Sequence, residues 1–200
     1  GYVVMSVGMG MILITRGGPS EIVILAIAGG LFHLVNHAAF KGLLFLNAGA
    51  IEYTLGTRDL KEMGGLAKSM PATSATSFIA SMSISGIPPF NGFFSKLIII
   101  IAAIMAKFYL LAALAVIVSI ITLASFLKFQ RYAFYNREDS KINRKIKEVP
   151  FPMIFSMVVM SLLCIILSLL AFPGIRDAVL TPAINILTDP LKYSSIILGI

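Results

Sequence analysis

Long apolar runs bounded by proline, glycine and charge decide what this chain can become. The stretch "YLLAALAVIVSIITLASFL", residues 109–127, contains no charged group. A helix needs about 20 such residues to cross a bilayer. Inside hydrocarbon every backbone N–H and C=O must find its partner within the protein, which leaves helices or closed barrels. Of the 200 residues, 58% are hydrophobic and 12% charged, with mean hydropathy +0.95. Ordinary globular domains carry about 25% charged residues, so the solvent of this chain is a lipid bilayer. The fold class is all-α, a polytopic bundle of transmembrane helices. A net charge of +7 does not indicate nucleic acid, because the basic residues are scattered between apolar runs.

The punctuation predicts helices over about 1–14, 21–52, 71–86, 88–106, 108–134 and 151–172. The organisation follows: spanning helices over 1–135, a basic loop over 136–150, an additional span over 151–172, and an interfacial tail over 173–200 broken by Pro182 and Pro190. The opening run "GYVVMSVGMGMILI" is short of a full span and lacks the marks of a signal peptide. It reads as a start inside a helix of a larger subunit. With one crossing per helix, Arg16, Lys128, Arg131, Arg137, Lys141, Arg144, Lys145 and Lys147 share one face, against Arg58, Lys61, Lys68, Lys107, Arg176 and Lys192 on the other. The excess of Lys and Arg places "YNREDSKINRKIKEVP" in the cytoplasm and "YTLGTRDLKEMGGLAKSM" outside.

Two lysines fall outside that tally. In "FHLVNHAAFK", residues 32–41, His33, His37 and Lys41 follow at steps of four. Such steps put all three on one helix face, roughly 6 Å apart along the axis. Two unit charges at ~6 Å and an effective dielectric of ~20 interact by roughly 2.8 kcal/mol, so a proton on one site disfavours a proton on the next. A stripe coupled in this way is a relay, and imidazole suits its intermediate positions. Lys96 lies in "PPFNGFFSKLIIIIAAIMA". A lysine deep in a spanning helix costs roughly 2.5–3.5 kcal/mol and must face protein or a wet cavity. Pro88, Pro89 and Gly92 precede it and loosen the backbone ladder, so freed carbonyls can meet the ammonium. Asn36, Ser95 and the serines and threonines of residues 73–85 are candidate cavity lining.

Zinc is the competing use of a His-x-x-x-His pair. No Cys, Asp or Glu lies near to complete the set, and Lys41 would repel a cation. The single cysteine, Cys164, sits among leucines and builds no disulfide or cluster. No metal or cofactor is predicted, and no nucleophile constellation or phosphate loop marks an active site of its own.

The runs "HLVNHAAFKGLLFLNAGAI", "GTRDLKEMGGLAKSMP" and "SISGIPPFNGFFSK" together resemble the antiporter-like membrane subunits shared by respiratory complex I, multisubunit (Mrp-type) cation/proton antiporters and membrane-bound hydrogenases. The resemblance covers most of residues 1–172. In that family two inverted five-helix repeats each supply half of a proton path, and this sequence looks like the second repeat plus one or two further helices. The resemblance implies that His33, His37 and Lys41 form the central relay. It makes Lys96 the key residue of a discontinuous helix. Lysine at 96, rather than glutamate, leans toward the complex I and cation-antiporter pattern. A first repeat with its glutamate and lysine pair is not in this sequence.

The expected function is translocation of protons, alone or coupled to sodium, in a membrane subunit of an oxidoreductase or antiporter complex. Its partners would be other membrane subunits, H+ and Na+, and the lipid of a prokaryotic cytoplasmic membrane. The alternative is a non-conducting scaffold in the same kind of complex.

Overall fold

Hydrocarbon offers the backbone no partner but itself, and the described residues answer mostly with helix. The computed structural model describes residues 1–136, 146–172, 174, 175 and 178. Its elements are α1 (Tyr2–Thr15), α2 (Ser20–Leu55), a 3-10 turn (Leu60–Glu62), α3 (Leu66–Ser69), α4 (Pro71–Ser85), α5 (Asn91–Met105), α6 (Tyr109–Gln130) running into a π turn (Arg131–Tyr135), and α7 (Phe151–Ile166) ending in a 3-10 turn (Leu167–Ala171). There is no strand among the described residues. Among the described residues three stretches are long and apolar enough to span by themselves: Ser20–Leu55, Tyr109–Tyr135 and Phe151–Ala171.

α2 is the axis of the bundle and packs against α1, α4, α5 and α7. Along it, Asn47 meets Thr76, Asn36 meets Asn91, His33 meets Ser95 and Gly29 meets Ile99. As numbering falls on α2, it rises through α4 and then α5. The two therefore stack end to end, antiparallel to α2, as one interrupted crossing. Each has 15 residues, about 22 Å at 1.5 Å per residue, so neither would cross alone.

The interruption is written in local chemistry. Gly86 takes the left-handed conformation at φ 78°. The N–H of Ile87 then reaches Met82 O and that of Gly86 reaches Ser83 O, each at 3.1 Å, the double bond of a Schellman cap. Pro88 and Pro89 supply no N–H to continue the ladder. α5 restarts at Asn91, three residues later than its apolar run suggested. Gly92 makes the junction close: a Cβ there would lie 1.8 Å from Ser83 O.

This topology corrects the assignment of sides. Counting α4 and α5 as two crossings sent the 53–70 and 135–150 segments to opposite faces, whereas residues 53–70 and the described residues 135, 136 and 146–150 lie at one end of the bundle. α3 and the Leu60–Glu62 turn pack on the Arg131–Tyr135 turn. Glu148 Oε2 accepts from Ala72 N at 2.8 Å, capping α4 from the same end. Among the described residues, Arg58, Lys61, Lys68, Lys128, Arg131 and Lys147 lie at this end, against Arg16 and Lys107 at the other. For these same eight residues the count along the sequence is four against four, so six against two is the stronger bias. Arg137, Lys141, Arg144, Lys145, Arg176 and Lys192, with most of the basic loop and of the 173–200 tail, lie outside the described residues.

Two outcomes follow. Gly92→Ala forces backbone apart at the junction and should destabilise the protein by at least about 1–3 kcal/mol. Gly49→Ala, with nothing within 4 Å of the added methyl, should be neutral in the same detergent-solubilised melt. Lys61→Cys and Lys147→Cys should react with an impermeant maleimide from the same side of sealed vesicles, and Lys107→Cys from the opposite side.

Candidate functional site at the helix break

The Schellman cap closes the carbonyls of Met82 and Ser83 and leaves those of Ile84 and Ser85. Lys96, the sixth residue of α5, reaches back and takes both: Nζ donates to Ile84 O at 2.8 Å and to Ser85 O at 3.3 Å. Its third proton goes to Ser119 Oγ of α6 at 3.0 Å. An ammonium has three donors and no acceptor, so all its hydrogen-bonding capacity is met by neutral groups. The ring of Tyr2 stands 5.0 Å from Nζ, in cation–π range. Tyr2 is held by its hydroxyl, which donates to Ala115 O and lies 3.3 Å from Ser119 Oγ. Lys96 is 5% exposed, which rules out a side chain stretched to the headgroups. Gly86 gives it room, since a Cβ there would come 2.9 Å from Lys96 Cδ.

His33 adjoins this cluster through the residue before Lys96. Its Nδ1 lies 2.9 Å from Ser95 Oγ, and Ser95 donates its single proton to Gly92 O. When Ser95 keeps its proton on Gly92 O, Nδ1–H of His33 is the donor and Nε2 is the nitrogen that exchanges a proton. The His33 and His37 rings are 6.1 Å apart, with Phe40 packed against both. The row His33, His37 and Lys41 is not uniformly deep. His33 is buried, Lys41 half-buried and His37 exposed on the surface of this chain. Drift of the 3.6-residue repeat turns His37 away from α5, while Lys41, one turn further on, is again half-buried.

Lys96 forms part of the wall of two cavities. One, of about 350 Å³, gathers Tyr2, His33, His37, Phe40, Thr122 and Lys96. The other, of about 230 Å³, lies toward α6 beside Ser85, Gly86 and Ser119. Lys41 borders neither. Asn36 does not line the cavities. It bolts the break to α2, donating to Asn91 O at 3.0 Å while Asn91 Nδ2 donates to Asn36 Oδ1 at 3.1 Å. Pro88 and Pro89 shape the interruption without touching the ammonium.

Three participants escaped the sequence reading. Tyr2 stood in the first apolar run with nothing to distinguish it. Ser119 is a serine in a membrane helix, where hydroxyls commonly bond back to their own carbonyls. Asn91 was the legible one, an amide immediately after two prolines and Phe90, just before Gly92.

The family model for the transmembrane region of NADH:quinone oxidoreductases and Mrp antiporters matches residues 7–122. A Na(+)/H(+) antiporter subunit of Alkalihalophilus pseudofirmus is 39% identical over 171 residues, covering 81% of this chain and 34% of that protein. A chain of the membrane-bound sulfane sulfur reductase, an archaeal respiratory membrane complex, superimposes with TM-score 0.68 at 34% identity, over 72% of this chain and 24% of its own. A chain of respiratory complex I from Thermus thermophilus superimposes with TM-score 0.70 at 24% identity, over 84% of this chain and 32% of its own, a likeness of fold. The sequence thus spans about a third of the antiporter protein it matches.

The reciprocal amide pair supplies a test of the site's frame. Asn36→Ala and Asn91→Ala should each destabilise the protein by about 1–3 kcal/mol, because each strands a buried amide. The double variant should be less destabilised than the sum, with a coupling of about 0.5–3 kcal/mol. Melting in detergent checks this.

Proposed function

The chain belongs to the NADH:quinone oxidoreductase/Mrp antiporter transmembrane family, and from that membership we propose that it carries protons through the membrane by way of Lys96, His33, His37 and Lys41. The observation that supports this reading is the buried ammonium between two cavities, held by carbonyls of a broken helix and one residue from the serine that binds His33. Three neutral acceptors and a ring hold the charged form in place. Loss of the proton leaves two N–H donors for three acceptors, which loosens the hold of Ile84 O, Ser85 O and Ser119 Oγ and lets the side chain swing between the cavities. A proton released toward the 350 Å³ cavity meets His33 and His37 there.

From His37 the path continues laterally to Lys41 and, through the exposed face of α2, to a neighbouring part of the assembly. The assembly is a multisubunit complex in a prokaryotic cytoplasmic membrane. The end carrying Lys61, Arg131 and Lys147 faces the cytoplasm by the positive-inside rule. Protons are the cargo these groups suit, because no carboxylate adjoins Lys96 among the described residues to hold Na+. Coupling to sodium would be the work of other parts of the complex.

In the whole complex reconstituted in vesicles, Lys96→Ala should reduce proton flux at least about 100-fold, as expected when a required proton carrier is lost, with assembly intact. Lys41→Met should lower flux less severely. Undiminished flux in Lys96→Ala would show a scaffold rather than a conductor.

A further inference from the structure

Hydroxyls in the helices of this chain share a habit. Ser85, Thr122, Ser125, Ser156 and Ser161 each donate to the carbonyl four residues back, the ordinary use of serine and threonine where water is scarce. Ser119 departs from it. The carbonyl four residues back is Ala115 O, and among the described residues Ser119 makes no side-chain bond to it. Ala115 O accepts instead from the hydroxyl of Tyr2, which reaches it from α1.

A carbonyl oxygen has two lone pairs. Within α6 the backbone N–H of Ser119 takes one, by the i to i−4 pattern, and Tyr2 takes the other. The Ser119 hydroxyl turns away from its own helix, with Oγ 3.0 Å from Lys96 Nζ and 3.3 Å from Tyr2 Oη. With the Tyr2 proton on Ala115 O, the Tyr2 oxygen is an acceptor for the proton of Ser119. Donors and acceptors then match along one chain: Lys96 Nζ to Ser119 Oγ, Ser119 Oγ to Tyr2 Oη, Tyr2 Oη to Ala115 O. Bonds in such a chain polarise one another, which strengthens Ser119 as an acceptor for the ammonium.

Tyrosine at the end of a membrane helix often marks only the headgroup level. Tyr2 differs, because its hydroxyl is tied to α6 and its ring packs on the cluster of Met9, Ile99 and Ala112. The same ring stands 5.0 Å from Lys96 Nζ and 5.2 Å from the His33 ring. We propose that Tyr2 is a positioning residue for the proton step at Lys96: by occupying Ala115 O it keeps Ser119 turned to the break as a standing acceptor. The consequence falls on the return of the charge. Once the neutral amine has left, a serine without Tyr2 would settle onto Ala115 O, and each returning ammonium would have to pull it away. With Tyr2 in place the acceptor keeps its direction, and no reorganisation is needed when the charge arrives. Tyr2 itself takes up and releases no proton; its hydroxyl acts through Ser119. The inference rests on the relay role of Lys96.

The test uses the full complex in sealed vesicles with Tyr2→Phe, Ser119→Ala and the two together. Tyr2→Phe keeps the ring and gives Ala115 O back to Ser119, whereas Ser119→Ala removes the acceptor and leaves Tyr2 on Ala115 O. Ser119→Ala should lower proton flux about tenfold and move its pH profile by about one pH unit, as expected for one lost hydrogen bond to a charged group. Tyr2→Phe should move the profile in the same direction and lower flux at least about threefold, a part of the same loss. The double variant should match Ser119→Ala alone, since the Tyr2 hydroxyl reaches Lys96 only through Ser119. A merely structural Tyr2 would lower the melting temperature of the complex and leave the pH profile in place. An unmoved profile in Tyr2→Phe, or losses of flux that multiply in the double variant, would overturn the assignment. Should Tyr2→Phe fail to assemble, an unmoved profile in Ser119→Ala overturns it as well. With flux lost in Lys96→Ala, a silent Tyr2→Phe removes this role alone; with flux intact in Lys96→Ala, the relay falls and this role with it.

Discussion

An ammonium inside a bilayer needs three acceptors, and the structure is arranged around supplying them to Lys96. The cheapest acceptors in a membrane are backbone carbonyls, but a continuous helix has already committed its own. Breaking one is the solution seen here: the end of α4 offers Ile84 O and Ser85 O, and α5 returns the ammonium to them from its second turn. The remaining features of the junction follow from that need. Gly86 turns the chain, Gly92 lets the two half-helices approach, and the Asn36–Asn91 pair prevents the gap from opening.

Such a break is weak by itself, because each half is too short to be anchored by lipid. α2 supplies the missing rigidity. It runs unbroken for 36 residues beside both halves, and its contacts alternate between apolar packing, with Phe32, Phe40 and Leu43 buried, and single polar ties at His33, Asn36 and Asn47. The outer helices have the opposite character. α6 exposes Leu110, Ile120 and Ile121, a surface suited to lipid or to a neighbouring protein, while its Ser119 and Gln130 face inward to the interrupted crossing. Much of the buried polarity thus lies at the interfaces of the α4–α5 crossing.

Much of this was legible in residue order. Lys96 after "GIPPFNGFFS" announced a charge beside a break, because proline and glycine have only a few uses in a spanning helix. The four-residue spacing of His33, His37 and Lys41 announced a shared face. What spacing could not carry was depth: the same row holds a buried His33 and an exposed His37, since burial is set by which helix lies opposite. Nor could hydropathy separate two crossings from one broken crossing, and that ambiguity propagated into the sidedness of the loops. Glu148, 75 residues from Thr73 along the chain, signalled nothing until the fold brought it to the start of α4.

The sequence by itself determined that the chain is helical, lies in a bilayer and carries ionisable groups into it, because composition and periodicity are local properties that hydrocarbon reads directly. Only the tertiary structure decided that α4 and α5 share one crossing, that Tyr2 and Ser119 complete the Lys96 site, and that Gln130 binds Ser77 and Ser81. Those facts depend on which helices stand side by side, and contacts between residues as distant as Tyr2 and Ala115 leave no periodic trace in the order of residues.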